Sequence, residues 1–135
     1  APFGQEVDIW ALGALLYTML THQTPFHSQD DNGGWSNRKL LVEQIRCLGA
    51  LPEDMVDVIK DAEQRVIIQD LSTFHAPQHP VGIVRKVQPM IHPKFRRADF
   101  VEKLESLLDF MERAITFDLM TGLGAMEHLM ALPCL

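Results

Sequence analysis

The stretch "VDIWALGALLYTMLTHQTPF", residues 7–26, decides the fold of this chain. Within residues 9–20 only Gly13 and Thr18 are not apolar. The run predicts a helix over residues 7–21, which ends before Pro25 because proline cannot continue a helix. A helix that is apolar around its whole circumference is typical of one that is buried. We therefore expect this helix at the centre of the core, surrounded by amphipathic ones.

Asp8 stands at the beginning of the predicted helix. A carboxylate at this position accepts hydrogen bonds from backbone N–H groups that have no partner inside the helix. Its negative charge also favours the positive end of the helix dipole. Position alone therefore favours an N-cap role for Asp8.

Length, charge and cysteine content limit the classes of protein that the chain can belong to. Its 135 residues are enough for about one domain. The net charge of -6 and the pI of about 5.4 argue against nucleic acid or an anionic membrane as partner. The apolar run of about 12 residues is shorter than a membrane span, and no secretory signal precedes it. Two well-separated cysteines, Cys47 and Cys134, favour a reducing intracellular compartment, cytoplasmic or nuclear.

Two more helices are predicted after a polar loop. One covers residues 38–48 and ends at Gly49, a typical residue after a helix C-terminus. The next begins after Pro52 and should carry Met55, Ile59, Ala62 and Val66 on one face.

The remainder of the chain is predicted to contain a long loop and two helices. Four prolines interrupt residues 71–95, so residues 71–97 are expected to be a loop or insert, in which "VGIVRKV" forms at most a short strand. A wide apolar stripe predicts a fourth helix over residues 98–116, and a short last helix is expected over residues 125–131. His75 and His79 have a spacing seen in metal sites, but we interpret them as part of the solvated loop. The fold class predicted is all-α.

The opening stretch resembles the central helix of the C-terminal lobe of eukaryotic serine/threonine protein kinases. Asp8, Trp10 and Gly13 match the family's D-x-W-x-x-G pattern, and Pro25-Phe26 match its P-F ending. The resemblance implies a kinase C-lobe-like helical subdomain around a buried hydrophobic helix. It also implies that Asp8 binds the backbone of the catalytic loop, while Trp10 and Gly13 pack the helix against its neighbours.

Two later stretches are similar to the same family. "EQIRCLGALPEDM", residues 43–55, resembles a helix and turn of the CMGC group, which contains the cyclin-dependent and mitogen-activated kinases. "LLDFMERAITFDLMTGLGAMEHL", residues 107–129, resembles the family's closing segment. The resemblance thus implies that residues 1–135 are part of a kinase domain, from just before the central helix to the domain's end.

The closing segment departs from the family at one motif. The family's D-P-x-x-R reads Asp118-Leu119-Met120-Thr121-Gly122 here, without the proline and the arginine. In the family that arginine pairs with a glutamate of the activation segment. Gly122 cannot form such a pair, which favours a divergent copy.

The resemblance implies ATP-dependent phosphorylation of protein serine or threonine by a complete parent protein, with ATP and Mg²⁺. Phosphoryl transfer by kinases uses a Gly-rich loop, a strand lysine, an H-R-D loop and a D-F-G aspartate. The sequence contains none of the four, which precede the central helix in the family's order. We therefore assign no catalytic, cofactor-binding or metal residue, and expect the chain to be inactive without the rest of a kinase domain, with an apolar patch exposed.

Two other interpretations stay open. One is a non-catalytic interaction or scaffold module, a pseudokinase remnant, in which a protein docks on residues 38–97. The basic cluster within that segment could bind an acidic or phosphorylated partner, although a solvated loop is the simpler explanation. This basic cluster consists of Arg85, Lys86, Lys94, Arg96 and Arg97.

The other interpretation is an unrelated helical bundle.

Overall fold

The computed structural model describes residues 5–27, 29, 32–34 and 36–117, with side chains from Asp8 onward. The described residues form six α-helices and no extended strand, so the all-α prediction is confirmed. The helices are α1 (Gln5–Thr21), α2 (Asn37–Leu48), α3 (Glu53–Asp57), α4 (Ala62–His75), α5 (Gly82–Val87) and α6 (Val101–Ala114). The predicted helix over residues 125–131 and the Asp118–Gly122 motif fall outside the described residues.

One compact unit combines the described residues up to Pro25 with those from Ile83 onward. In its described part α1 packs against α6, and Ile9, Phe110 and Ala114 form a buried apolar cluster. Three short 3-10 turns lead from α5 to α6: Gln88–Met90, Pro93–Phe95 and Ala98–Phe100. The backbone N–H of His92 donates to the carbonyl of Leu20 at 2.8 Å, which fixes this connection to the end of α1.

The second unit comprises residues 26–82, in which α2 and α3 pack against α4. Ser36 caps α2, because its Oγ accepts a hydrogen bond from Lys39 N at 3.1 Å. Gly49 ends α2 as predicted, with φ of 101° and its N–H bonded to the carbonyl of Ile45. Ser72 is buried on α4, where its Oγ accepts a hydrogen bond from Leu51 N at 2.8 Å.

The prediction of one continuous third helix after Pro52 was wrong. The helix is interrupted after Asp57, and α4 begins with Asp61 as its N-cap. The Asp61 carboxylate accepts hydrogen bonds from Glu63 N at 2.9 Å and Gln64 N at 3.5 Å. Nε and Nη2 of Arg65 both donate to the carbonyl of Ile59. These hydrogen bonds satisfy backbone groups that lose their helical partners where the helix is interrupted. The spacing of apolar residues gives no sign of such hydrogen bonds.

The expectation of a loop or strand in residues 71–97 was also wrong in part. The "VGIVRKV" stretch contains α5, and α4 extends to His75. Ile83 and Val87 are both buried, at the i, i+4 spacing of a helix. Helix α5 therefore buries its apolar side chains on one face. In a strand, the buried side chains would instead recur at every second residue.

No helix in the described part of the chain is long and apolar enough to cross a membrane.

Candidate functional site

Helix α1 buries one face and leaves the other open, although both are apolar. Ile9, Gly13, Tyr17 and Leu20 are buried at intervals of four and three residues. The expectation of burial on all sides therefore holds for one face only. The described residues supply packing partners for that face, and the opposite side carries the exposed apolar side chains of Leu12, Leu15 and Met19.

The exposed side of α1 forms one wall of an apolar groove of about 340 Å³. Leu15 is 55% exposed and Met19 is 58% exposed, so the described residues cover neither side chain. Among the described lining residues, Lys103 of α6 is the one with a charged side chain. These residues are Leu12, Leu15, Leu16, Met19, Leu20, Phe95, Phe100, Lys103, Leu107 and Phe110. A groove of this composition is suited to another apolar segment and offers little to a polar ligand.

Gly13 allows the buried face of α1 to approach the end of α6 closely. A Cβ atom at this position would lie 2.9 Å from Cγ1 of Ile115 and 3.0 Å from Cβ of Ala114. Real Cβ atoms essentially never come within 2.9 Å of such a neighbour, so an alanine at this position would force Ile115 to shift. Sequence reasoning expected close packing at Gly13, and the structure identifies the neighbours.

Trp10 lies near the same junction. Its ring stacks on that of Phe117, with centroids 6.2 Å apart and an interplanar angle of 15°. Offset aromatic pairs at this separation stabilise a packed junction. Trp10 and Gly13 thus link α1 to the segment that follows α6, and their role beside a catalytic loop stays a prediction.

Asp8 does not cap α1. The helix begins at Gln5, so Asp8 is its fourth residue and lies past the N-cap position. The N-cap interpretation was therefore wrong. The side chain of Asp8 is exposed, which leaves its carboxylate accessible to hydrogen-bond donors from another segment.

Most of the five basic residues make contacts close to their own position in the structure. Lys86 donates to the carbonyl of Pro25, and Arg96 donates to the carbonyl of Gln88. Arg97 pairs with Asp99 at 3.6 Å. The other two members, Arg85 and Lys94, are exposed. Nζ of Lys94 lies 5.1 Å from the centroid of the Phe95 ring. Local contacts thus engage several members, and docking of an acidic partner here stays a prediction.

The prediction that both histidines of the metal-like pair lie in a loop holds for His79 and was wrong for His75. His75 is the last residue of α4, and its Nδ1 lies 3.4 Å from Nη2 of Arg46. His79 lies in the connection that follows. Within the described ranges, no group of three or more His, Cys, Asp and Glu side chains could hold a metal ion.

Several known proteins similar to this chain are named as protein kinases. The liver/testis isoform of the phosphorylase b kinase gamma catalytic chain of Bos taurus is 30% identical over 103 residues, 72% of this chain and 21% of that protein. A RAC family serine/threonine-protein kinase homolog of Dictyostelium discoideum is 29% identical over 98 residues, 69% of this chain and 22% of that protein. The cell cycle serine/threonine-protein kinase CDC5/MSD2 of Saccharomyces cerevisiae is 33% identical over 76 residues, 56% of this chain and 9% of that protein.

These similarities support a kinase-like relationship for the chain. It spans about a fifth of the length of the first two of these relatives. No family model matches the chain, and no solved structure matches it.

Proposed function

We propose that this chain is the C-terminal-lobe portion of a protein serine/threonine kinase-like protein, nearest the CMGC group of cyclin-dependent and mitogen-activated kinases. The parent protein would transfer the γ-phosphate of ATP to a serine or threonine hydroxyl of a protein. The observation that carries the proposal is the exposed apolar face of α1, on the helix that holds the D-x-W-x-x-G residues. Similarity to a phosphorylase b kinase gamma catalytic chain over 72% of this chain, and to a RAC family serine/threonine-protein kinase homolog over 69%, supports it.

The proposed role of the chain is to pack against the catalytic loop of the parent kinase domain and hold it in position. Trp10 and Gly13 hold α1 against α6 and the segment after it. The preceding part of a kinase domain would cover Leu12, Leu15 and Met19, which removes their apolar surface from water. The exposed carboxylate of Asp8 would accept hydrogen bonds from the backbone of the catalytic loop.

The residues of this chain do not fit ATP or Mg²⁺. Kinases bind these groups through a Gly-rich loop, a strand lysine and a D-F-G aspartate, and none of those motifs occurs in the sequence. The groove beside α1 is almost wholly apolar and suits neither a triphosphate nor a metal ion. We therefore propose no chemical step for any residue of the chain, and its contribution to catalysis is positioning.

The gene region before the codon for Ala1 provides the first test. We expect it to encode the H-R-D and D-F-G motifs in the kinase order. The encoded protein is then expressed in full, and its melting temperature is measured with and without Mg·ATP. A rise of several degrees for the longer protein, with no change for the 135-residue chain, is expected. Absence of both motifs would remove the active-kinase proposal.

Hydrogen exchange tests the role of α1 separately. Amides of α1 should exchange more slowly in the longer protein than in the chain alone, because a covering segment suppresses local opening. Equal exchange in both would contradict the proposed packing, whatever the outcome with Mg·ATP.

A non-catalytic scaffold is the second candidate, and Gly122 favours it. This residue stands where the family has an arginine that ties the lobe to the activation segment. A scaffold predicts slow exchange of α1 in the longer protein, as a kinase does, but no thermal response to Mg·ATP. The two measurements together therefore separate a working kinase from a scaffold.

A further inference from the structure

A second groove lies in the unit formed by residues 26–82, and nothing in the proposed kinase role uses it. Its volume is about 510 Å³, within the range of binding pockets in proteins. Helix α4 provides most of its surface and α2 contributes one arginine. The lining residues are Arg38, Ile67, Asp70, Leu71, Phe74 and His75.

The apolar part of the groove follows one face of α4. Ile67, Leu71 and Phe74 recur at i, i+4 and i+7, so their side chains lie in one row along the helix. Leu71 is buried and forms the floor, while Ile67 is 44% exposed and Phe74 is 83% exposed. A phenylalanine this exposed keeps most of its apolar surface in water, and that surface is available to a partner.

The charges at the groove are arranged asymmetrically. Arg38 lines it from α2, and no described side chain forms a salt bridge with it. Arg46, also on α2, lies next to His75 at the end of α4. Asp70 supplies the one carboxylate among the described lining residues. The side next to α2 is therefore cationic, on a chain whose net charge is -6.

We propose that this groove binds an amphipathic helix of a partner protein, with apolar residues facing Ile67, Leu71 and Phe74 and a carboxylate facing Arg38. A helix matches this surface because its own apolar residues repeat at the same spacing as those of α4. The carboxylate supplies the salt-bridge partner that Arg38 lacks among the described residues. The net negative charge of the protein repels acidic partners from most of its surface. A local positive charge at the groove attracts them there.

The proposal is independent of the kinase relationship, because it rests on α2 and α4 alone. A working kinase and a scaffold would both retain this surface. Failure of the Mg·ATP experiment therefore leaves it standing, and failure of the docking experiment leaves the kinase proposal standing.

The test uses three fluorescein-labelled synthetic helical peptides and the full 135-residue chain. All three carry leucine at i, i+4 and i+7, which gives each one apolar face. They differ at a single position next to this face, which is glutamate in the first peptide, lysine in the second and glutamine in the third. Fluorescence anisotropy measures their dissociation constants. We expect the glutamate peptide to bind at least about tenfold more tightly than the lysine peptide, since charge pairs at interfaces discriminate on this scale.

Two substitutions in the groove, each with a matched control, locate the binding. Phe74→Ala should weaken the glutamate peptide by about tenfold or more, as expected for an exposed aromatic anchor. Arg38→Glu should reverse the preference, so that the lysine peptide binds more tightly. The controls are Val58→Ala, at a site 75% exposed outside the groove, and Lys60→Glu, at another exposed site. Both should leave all three affinities unchanged.

Three outcomes would overturn the proposal. Equal binding of the three peptides would exclude charge recognition by Arg38. Binding that is lost in Leu15→Asp and retained in Phe74→Ala would assign the peptides to the groove beside α1. Sedimentation showing a dimer that Phe74→Ala converts to a monomer would make a second copy of the chain the occupant.

Discussion

Gly13 of α1 and Ile115, which directly follows α6, are in such close contact that a single added carbon would collide. The hypothetical Cβ of residue 13 lies 2.9 Å from Cγ1 of Ile115. The approach of α1 to α6 therefore depends on the absence of a side chain at one position. This relationship explains why the buried face of α1 is the one that contains its glycine.

Gly13→Ala should lower the free energy of unfolding by about 1–2 kcal/mol. Overpacking costs about 1–3 kcal/mol, and the better helix propensity of alanine offsets up to about 1 kcal/mol of it. Urea denaturation followed by circular dichroism measures the change. Combining Gly13→Ala with Ile115→Ala should cost less than the sum of the two single changes, because the second removes the colliding atom. Strict additivity would contradict the contact.

Ser72→Ala should destabilise the chain by about 1–2 kcal/mol, because Leu51 N would lose its hydrogen-bond acceptor at a partly buried position. The neighbouring change Thr73→Ala is the matched control, since Thr73 is exposed on the same helix. We expect the control to change stability by less than about 0.5 kcal/mol. Equal effects of the two substitutions in chemical denaturation would exclude a special role for the Ser72 hydroxyl.

Asp61→Ala should cost about 1 kcal/mol by removing the N-cap of α4. It should also increase hydrogen exchange at Glu63 and Gln64, whose amides bond to the Asp61 carboxylate. Asp57→Ala serves as control, because Asp57 is the last residue of α3 and is exposed. If α3 and α4 were one continuous helix, Asp61 would lie in its interior and alanine there would be neutral or stabilising.

The exposed face of α1 should make the isolated chain self-associate. Replacing both Leu15 and Met19 by glutamine removes two large apolar side chains from this face and retains a good helix former at each position. Multi-angle light scattering should report a lower mass for the double variant than for the unmodified chain. The control Val58→Gln should leave the mass unchanged. A monodisperse monomer with a sharp melt in the unmodified chain would contradict this prediction.

Sequence reasoning identified the elements whose evidence is local. The end of α2 at Gly49 follows from the freedom of glycine to adopt a positive φ, and α6 follows from its apolar stripe. Asp61, followed by Gln64 three residues later, was a readable start signal for α4. It was missed because apolar spacing continues across the interruption. Ile83 and Val87 likewise had helical spacing in a segment whose prolines suggested a loop.

By itself, the sequence determined that the chain is all-α and that residues 9–20 of α1 are apolar on every side of the helix. It could not determine which side of α1 is buried, because a helix with the same polarity on every side has no periodicity that distinguishes one face. The tertiary structure decided this through shape: Gly13 lets Ala114 and Ile115 approach one face, and Leu12, Leu15 and Met19 remain exposed on the other. The groove on α4 is likewise a product of packing, since Arg38 and Phe74 are far apart along the chain and meet only when α2 packs against α4.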